Sequence, residues 1–116
     1  MNQYSKPINS PDGQYQITLA EREAGNSHWV LTPTLRDTRS GETLLELSSR
    51  WSLDETHWRS ESSVTLILRK YPGNHTPPDV TLTVDCAART AQVGEAPPHP
   101  LADSESHLDG ALAFTR

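Results

Sequence analysis

Cysteine occurs once in the 116 residues, at Cys86, so no disulfide can form within the chain. That usage fits a reducing compartment. No window approaches the roughly 18 consecutive apolar residues of a membrane span. The opening MNQYSKPINS has a single lysine and no apolar run, and so lacks both parts of a secretory signal. A cytoplasmic protein without a membrane association is the expectation. A surplus of positive charge is missing as well. Ten Lys and Arg stand against fifteen Asp and Glu, a net charge of −5, and no segment gathers the basic residues. The phosphates of a nucleic acid would be repelled, whereas a basic protein would be steered toward this chain.

Catalytic signatures are also lacking. There is no G-x-S-x-G elbow, no P-loop and no G-x-G-x-x-G. The five histidines, His28, His57, His75, His99 and His107, show no H-x-x-x-H or H-E-x-x-H spacing and no pairing with cysteine, so no metal or cofactor is expected. They read as solvated or capping residues, with His75 and His99 in proline-rich turns. Cys86 closes an alternating apolar stretch and reads as a core thiol. The neighbouring carboxylates Asp54 and Glu55, or Glu21 and Glu23, could exchange protons in principle, but strand ends and caps account for them more simply. The balance of these signals favours a non-catalytic chain over an enzyme.

What is present is period-two alternation, the mark of strands with one face on a core. Apolar residues are only 34% of the chain, and 9 prolines and 6 glycines punctuate it, which favours short elements joined by many turns. Ser10-Pro11-Asp12-Gly13 carries turn residues ahead of a strand with Tyr15, Ile17 and Leu19 on one face. The phrase SPDGQYQI resembles the strand opening of β-propeller blades, but it occurs once, and stacked blades need repeats. Residues 28–49 read as a hairpin. Trp29, Leu31 and Leu35 share one face of its first strand, Pro33 signals an edge or bulge, DTRSG turns, and Leu45 and Leu47 face the core on return. Residues 62–71 put Val64, Leu66 and Leu68 on one face and Thr65, Ile67, Arg69 and Tyr71 on the other, as a central strand. Beyond the long turn PGNHTPP, the segment 79–86 alternates Val80, Leu82, Val84 and Cys86 with polar residues. A short strand over 90–93 follows. Leu101, Leu108, Ala111 and Leu112 then fall at helical spacing, predicting a helix over 101–113 that starts after Pro100.

The segment WSLDETHW, residues 51–58, brackets an acidic middle with two tryptophans seven residues apart. Ser52 and Glu55 have the S-x-x-E spacing of a capping box, which predicts a short helical crossover over 51–59. Two readings follow. In one, Trp51 and Trp58 lie on one side of two helical turns and close the end of a core. In the other, Asp54, Glu55, His57, Trp58 and Arg59 form an exposed aromatic and charged patch that anchors an interface.

The predicted architecture is mainly β, of the α+β kind. A flexible arm over 1–9 precedes one domain over 10–116. That domain is an antiparallel meander of five or six short strands, covered by the C-terminal helix or curled into a small barrel. The function expected is a non-catalytic protein-binding module, an acidic immunity-type inhibitor or adaptor of a bacterial cytoplasm, by analogy of size and charge alone. The alternatives are a small-molecule binder or enzyme with a pocket at the open end of the sheet near the tryptophans, and a homo-oligomer that buries the second face of strand 62–71 against another copy.

Overall fold

The computed structural model describes residues 7–23, 29–70 and 79–112. The antiparallel meander is there, but it is split into two sheets rather than one. The first contains β1 (Ile8–Asn9), β2 (Tyr15–Glu23), β3 (Trp29–Asp37) and β4 (Thr43–Glu46) in that order. The second contains β5 (Trp51–Trp58), β6 (Ser63–Lys70), β7 (Val80–Asp85), β8 (Thr90–Val93) and β9 (His99–Pro100). A 3-10 turn (Leu101–Asp103) leads into α1 (Ser104–Leu112), so the C-terminal helix forms where its spacing placed it. Of the arm expected over 1–9, residues 1–6 lie outside the described residues and Ile8–Asn9 pair with β2. The proline-rich turn at 72–78, Tyr71, His28 and His75 also lie outside them.

The turn at 10–13 shows how the sequence starts β2. Gly13 takes a left-handed φ of 80°, which its missing Cβ permits. Ser10 Oγ accepts from the Tyr15 amide at 3.0 Å and donates to Asp12 at 3.0 Å. The Gln14 amide and then the Ser10 hydroxyl, both donating to Asp12, hold its carboxyl below the usual range. The phrase SPDGQYQI is accordingly a local turn, and the strand it opens runs on to Glu23.

The predicted hairpin over 28–49 is β3 and β4, and its proline has a precise setting. Thr34 is the last β3 residue paired with β4 on that side. Thr32 instead gives its hydroxyl to the Trp51 carbonyl of β5 at 2.9 Å. Pro33, which has no N–H, falls in the gap between the two partners. Here the sheets part: β4 leaves β3, and β5 comes alongside it through side-chain contacts in place of a ladder. The Leu31 amide donates to Ser52 Oγ at 3.0 Å at the same junction.

Ser52 therefore satisfies the backbone of another strand and caps no helix. The helical crossover predicted over 51–59 is corrected: Trp51–Trp58 is strand β5, paired with β6 from Trp51–Lys70 to Trp58–Val64. Alternation in this segment was hidden by one extra residue. Leu53 pairs with Leu68 and Glu55 with Ile67, so Asp54 is the additional residue of a β-bulge.

One core serves both sheets. Tyr15, Ile17, Leu35, Leu45 and Leu47 from the first meet Trp51, Leu53, Val64, Leu66, Leu68, Val80, Leu82 and Val84 from the second, and Leu101 and Leu108 close it from the helix. Aliphatic side chains buried this fully each contribute about 1.5–3 kcal/mol. β6 lies between β5 and β7, as the apolar character of both its faces implied. An ion pair also joins the sheets, with Arg89 Nη1 and Nη2 each 2.6 Å from a carboxylate oxygen of Glu42. That guanidinium holds the Glu42 carboxyl below its usual range.

Candidate functional site

The bulge decides where the residues of WSLDETHW point. In an unbroken strand, positions 51 and 58 have opposite parity and face opposite sides of the sheet. The extra residue at Asp54 reverses the parity, so Trp51, Leu53, Thr56 and Trp58 all share the face of Val64, Leu66 and Leu68. Trp51 is fully buried and Trp58 is half-buried against the core. Both tryptophans thus belong to one core, as the first reading held, but a bulged strand puts them there and not a helix. Their indole N–H groups, with the hydroxyl of Thr56, are buried without a hydrogen-bond partner among the described residues.

The other members of the expected patch point outward. Glu55 and His57 are both exposed, with Glu55 Oε1 2.9 Å from His57 Nε2. Arg59 Nε donates to Thr65 Oγ1 at 3.1 Å on the outer face. Asp54 receives Arg69 Nη2 at 3.1 Å. The structure therefore gathers Asp54, Glu55, His57 and Arg59 on one surface and turns Trp58 away from them.

A residue that sequence reading passed over joins this surface. Leu68 pairs with Val80, so one step further along the register Asp79 comes level with Arg69. Burial pushes the Asp79 carboxyl up, and the neighbouring charges of Asp54 and Glu55 push it further. Three carboxylates thus crowd the edge of the second sheet around Arg69. No sequence motif joins positions 54 and 79, since only strand pairing brings them together.

Edge protection explains part of this surface. β5 ends the second sheet, and a bulge with charged side chains keeps such an edge from pairing with another chain. The outer face it borders is polar. Ile67 lies there among Thr65, Thr81 and Thr83, and forms no apolar patch among the described residues to be covered by a second copy.

Among the described residues, the remaining chemistry-bearing groups do not assemble a catalytic centre. Ser104 Oγ lies 3.1 Å from His99 Nε2, the spacing of a nucleophile and its base. Ser104 is fully buried, however, and His99 Nδ1 has no partner to orient the ring, so the pair lacks access and the third group. His99 was expected in a solvated turn; β9 carries it into the core, 5% exposed, where its ring stacks on His107. Cys86 is 2% exposed, and burial pushes its thiol up to about 12. At neutral pH it stays a thiol, so a thiol-reactive dye should label the folded protein at least about 100-fold more slowly than the denatured chain. Comparable rates would place Cys86 at the surface.

Among the clefts formed by described residues are two that no tryptophan lines. One, of about 320 Å³, lies between Glu42, Leu44, Arg89, Pro100 and Leu101. The other, of about 240 Å³, lies on the outer face between Ser63, Thr83, Asp85, Thr90 and Gln92. The described residues hold no group of three or more His, Cys, Asp or Glu arranged to take a metal ion, and no helix among them is long and apolar enough to cross a membrane. No protein-family model matches the sequence, and neither curated proteins nor solved structures offer a match.

Proposed function

We propose that this chain is a non-catalytic protein-binding module that takes a basic partner at the outer edge of β5. The crowding of Asp54, Glu55 and Asp79 around Arg69 carries the reading. Carboxylates that already repel one another gain most when a further cation arrives, and Asp79, held up first by burial and then by Asp54 and Glu55, is the group such a cation would relieve. The bulge fixes these side chains on a rigid strand backed by the core, which reduces what they lose in ordering on contact. The net charge of −5 adds attraction at longer range. An inhibitor or adaptor in the cytoplasm is the form that fits the size of the chain.

The test is capture from the source organism by the tagged protein and by the double variant Asp54→Lys, Glu55→Lys, with thermal melting of both. The expected result is a basic protein held at low salt, released as salt rises, and lost at least about tenfold in the variant while its melt is kept. Retention of the same partner by a folded double variant, or capture of an acidic one, would overturn the proposal.

A further inference from the structure

The C-terminal helix is held to the sheets in an unusual way. From its first turn to Asp109, α1 and the 3-10 turn before it bury only Leu101, Ser104 and Leu108. The rest of its attachment is polar. Glu105 Oε1 accepts from the Ser48 amide at 2.8 Å, and Asp109 Oδ1 accepts from Lys70 Nζ at 2.7 Å. Between these contacts, the His107 ring of the helix lies on the His99 ring of β9, with centroids 3.9 Å apart and planes 5° from parallel.

Two imidazoles stacked face to face at that distance are compatible with neutrality and strongly averse to two charges. His99 is the more constrained of the two. Its Nε2 contacts Ser104 Oγ, while its Nδ1 is buried and faces no acceptor, so a proton arriving there would have no partner. From this geometry we infer that the His99–His107 stack is an acid-sensitive latch, which holds α1 on β8 and β9 while the buried His99 ring is neutral and frees it when that ring is protonated.

The groups around the stack agree with that direction. Burial lowers the affinity of His99 for a proton, and His107 lowers it further; Asp103 acts the other way as the smallest of the three influences. The carboxylates of Glu105 and Asp109 are taken up by the Ser48 amide and Lys70. The inward faces of β7 and β8 present Val80, Leu82, Val84, Ala91 and Val93, none of which titrates. Glu42, across the cleft from Leu101, is committed to Arg89. Asp103 is therefore the one charge among these groups that favours a proton on His99, and burial and His107 outweigh it.

The sign follows. The folded state binds a proton at His99 less readily than the unfolded or undocked chain, so the attachment is complete above the ordinary histidine value of about 6.5 and is lost as pH falls through it toward the depressed folded value. Hydrogen exchange of the whole chain at about pH 7.5 and about pH 5, corrected for intrinsic exchange rates, reads this directly. Protection of the amides over 104–112 is expected to fall about tenfold or more at the lower pH, while that of β6 and β7 is kept. In His107→Gln the fall should be smaller, because His99 has lost its repelling neighbour and takes up a proton more readily in the folded state, and in His99→Gln it should disappear. If His99→Gln does not fold, the His107→Gln profile still decides. Helix protection independent of pH, or a pH profile unchanged in His107→Gln, would overturn the latch.

Discussion

Deletion of Asp54 and Glu55 together is expected to abolish the cooperative melt of this protein, whereas deletion of Asp54 alone should leave it almost untouched. The two changes differ in what they do to parity. Loss of Asp54 alone removes the extra residue, so that Glu55 and His57 stay outward and Thr56 and Trp58 stay inward in strict alternation after Leu53. It forfeits an ion pair whose Asp54 side chain is 24% and Arg69 side chain 48% exposed, worth at most about 1 kcal/mol. Loss of both residues places Thr56 directly after Leu53. His57 would then take the inward position opposite Leu66, and Thr56 and Trp58 would turn to solvent. Burying a polar ring without a partner costs about 1–3 kcal/mol, and losing the packing of Trp58 adds to it, against a total stability of about 5–15 kcal/mol for a domain. The alternative, a slip that keeps Trp58 inward, would expel Leu53 and Trp51 and cost no less. Circular dichroism against temperature for the two variants decides it. A double deletion that melts within a few degrees of the parent would show that alternation along this strand does not set which side chains reach the core.

Trp51→Ala is expected to lower the melting temperature by roughly 10–20 °C, from a loss of about 3–5 kcal/mol on removal of a fully buried aromatic side chain. Trp51 stands where three parts of the fold meet. Its carbonyl accepts the Thr32 hydroxyl of the first sheet, its ring lies 5.8 Å from Lys70 Nζ, and that ammonium reaches Asp109 of the helix. Trp58→Ala should cost less, about 1–2 kcal/mol, because Trp58 is half-buried at the core's rim. Denaturant titration of both variants supplies the comparison. Should Trp58 prove the costlier of the two, the burial assigned to them would be reversed.

The polar half of WSLDETHW and its aromatic half therefore serve different ends. Its tryptophans hold the core together, and its charges face outward at a sheet edge. The distinction bears on how the surface is tested. Replacing Trp58 changes core packing as well as any contact made near it, so loss of binding in that variant would be ambiguous. Reversing Asp54 and Glu55 leaves the core side chains in place and forfeits the Asp54–Arg69 and Glu55–His57 contacts, which is why the charge variant, with its melt checked, separates recognition from folding.

Much of this architecture was legible in the chain. Val80, Leu82, Val84 and Cys86 alternate without interruption, and they form β7 and the residue after it on the core side. Residues 10–13 announce their turn through Pro11 and Gly13, and Leu101 and Leu108 announce the helix. These features depend on neighbours close in sequence, where the periods of 2 and 3.6 residues are intrinsic to the backbone. WSLDETHW misled for the same reason. Its two tryptophans fit a helical period, and its S-x-x-E fits a cap, because a single bulge residue turns a period-two pattern into one that imitates 3.6.

By itself, then, the sequence determined the class of the fold, the strands that alternate without irregularity, the inert position of Cys86 and the absence of local catalytic motifs. Only the tertiary structure decided that the meander divides at Pro33 and Ser52, that Asp54 is an extra residue, that Asp79 joins Asp54 beside Arg69, and that His99 stacks on His107. Each of these depends on which strand lies beside which, and in what register. Register is set by the sum of many weak side-chain contacts across the whole core, a quantity that no short stretch of the chain contains.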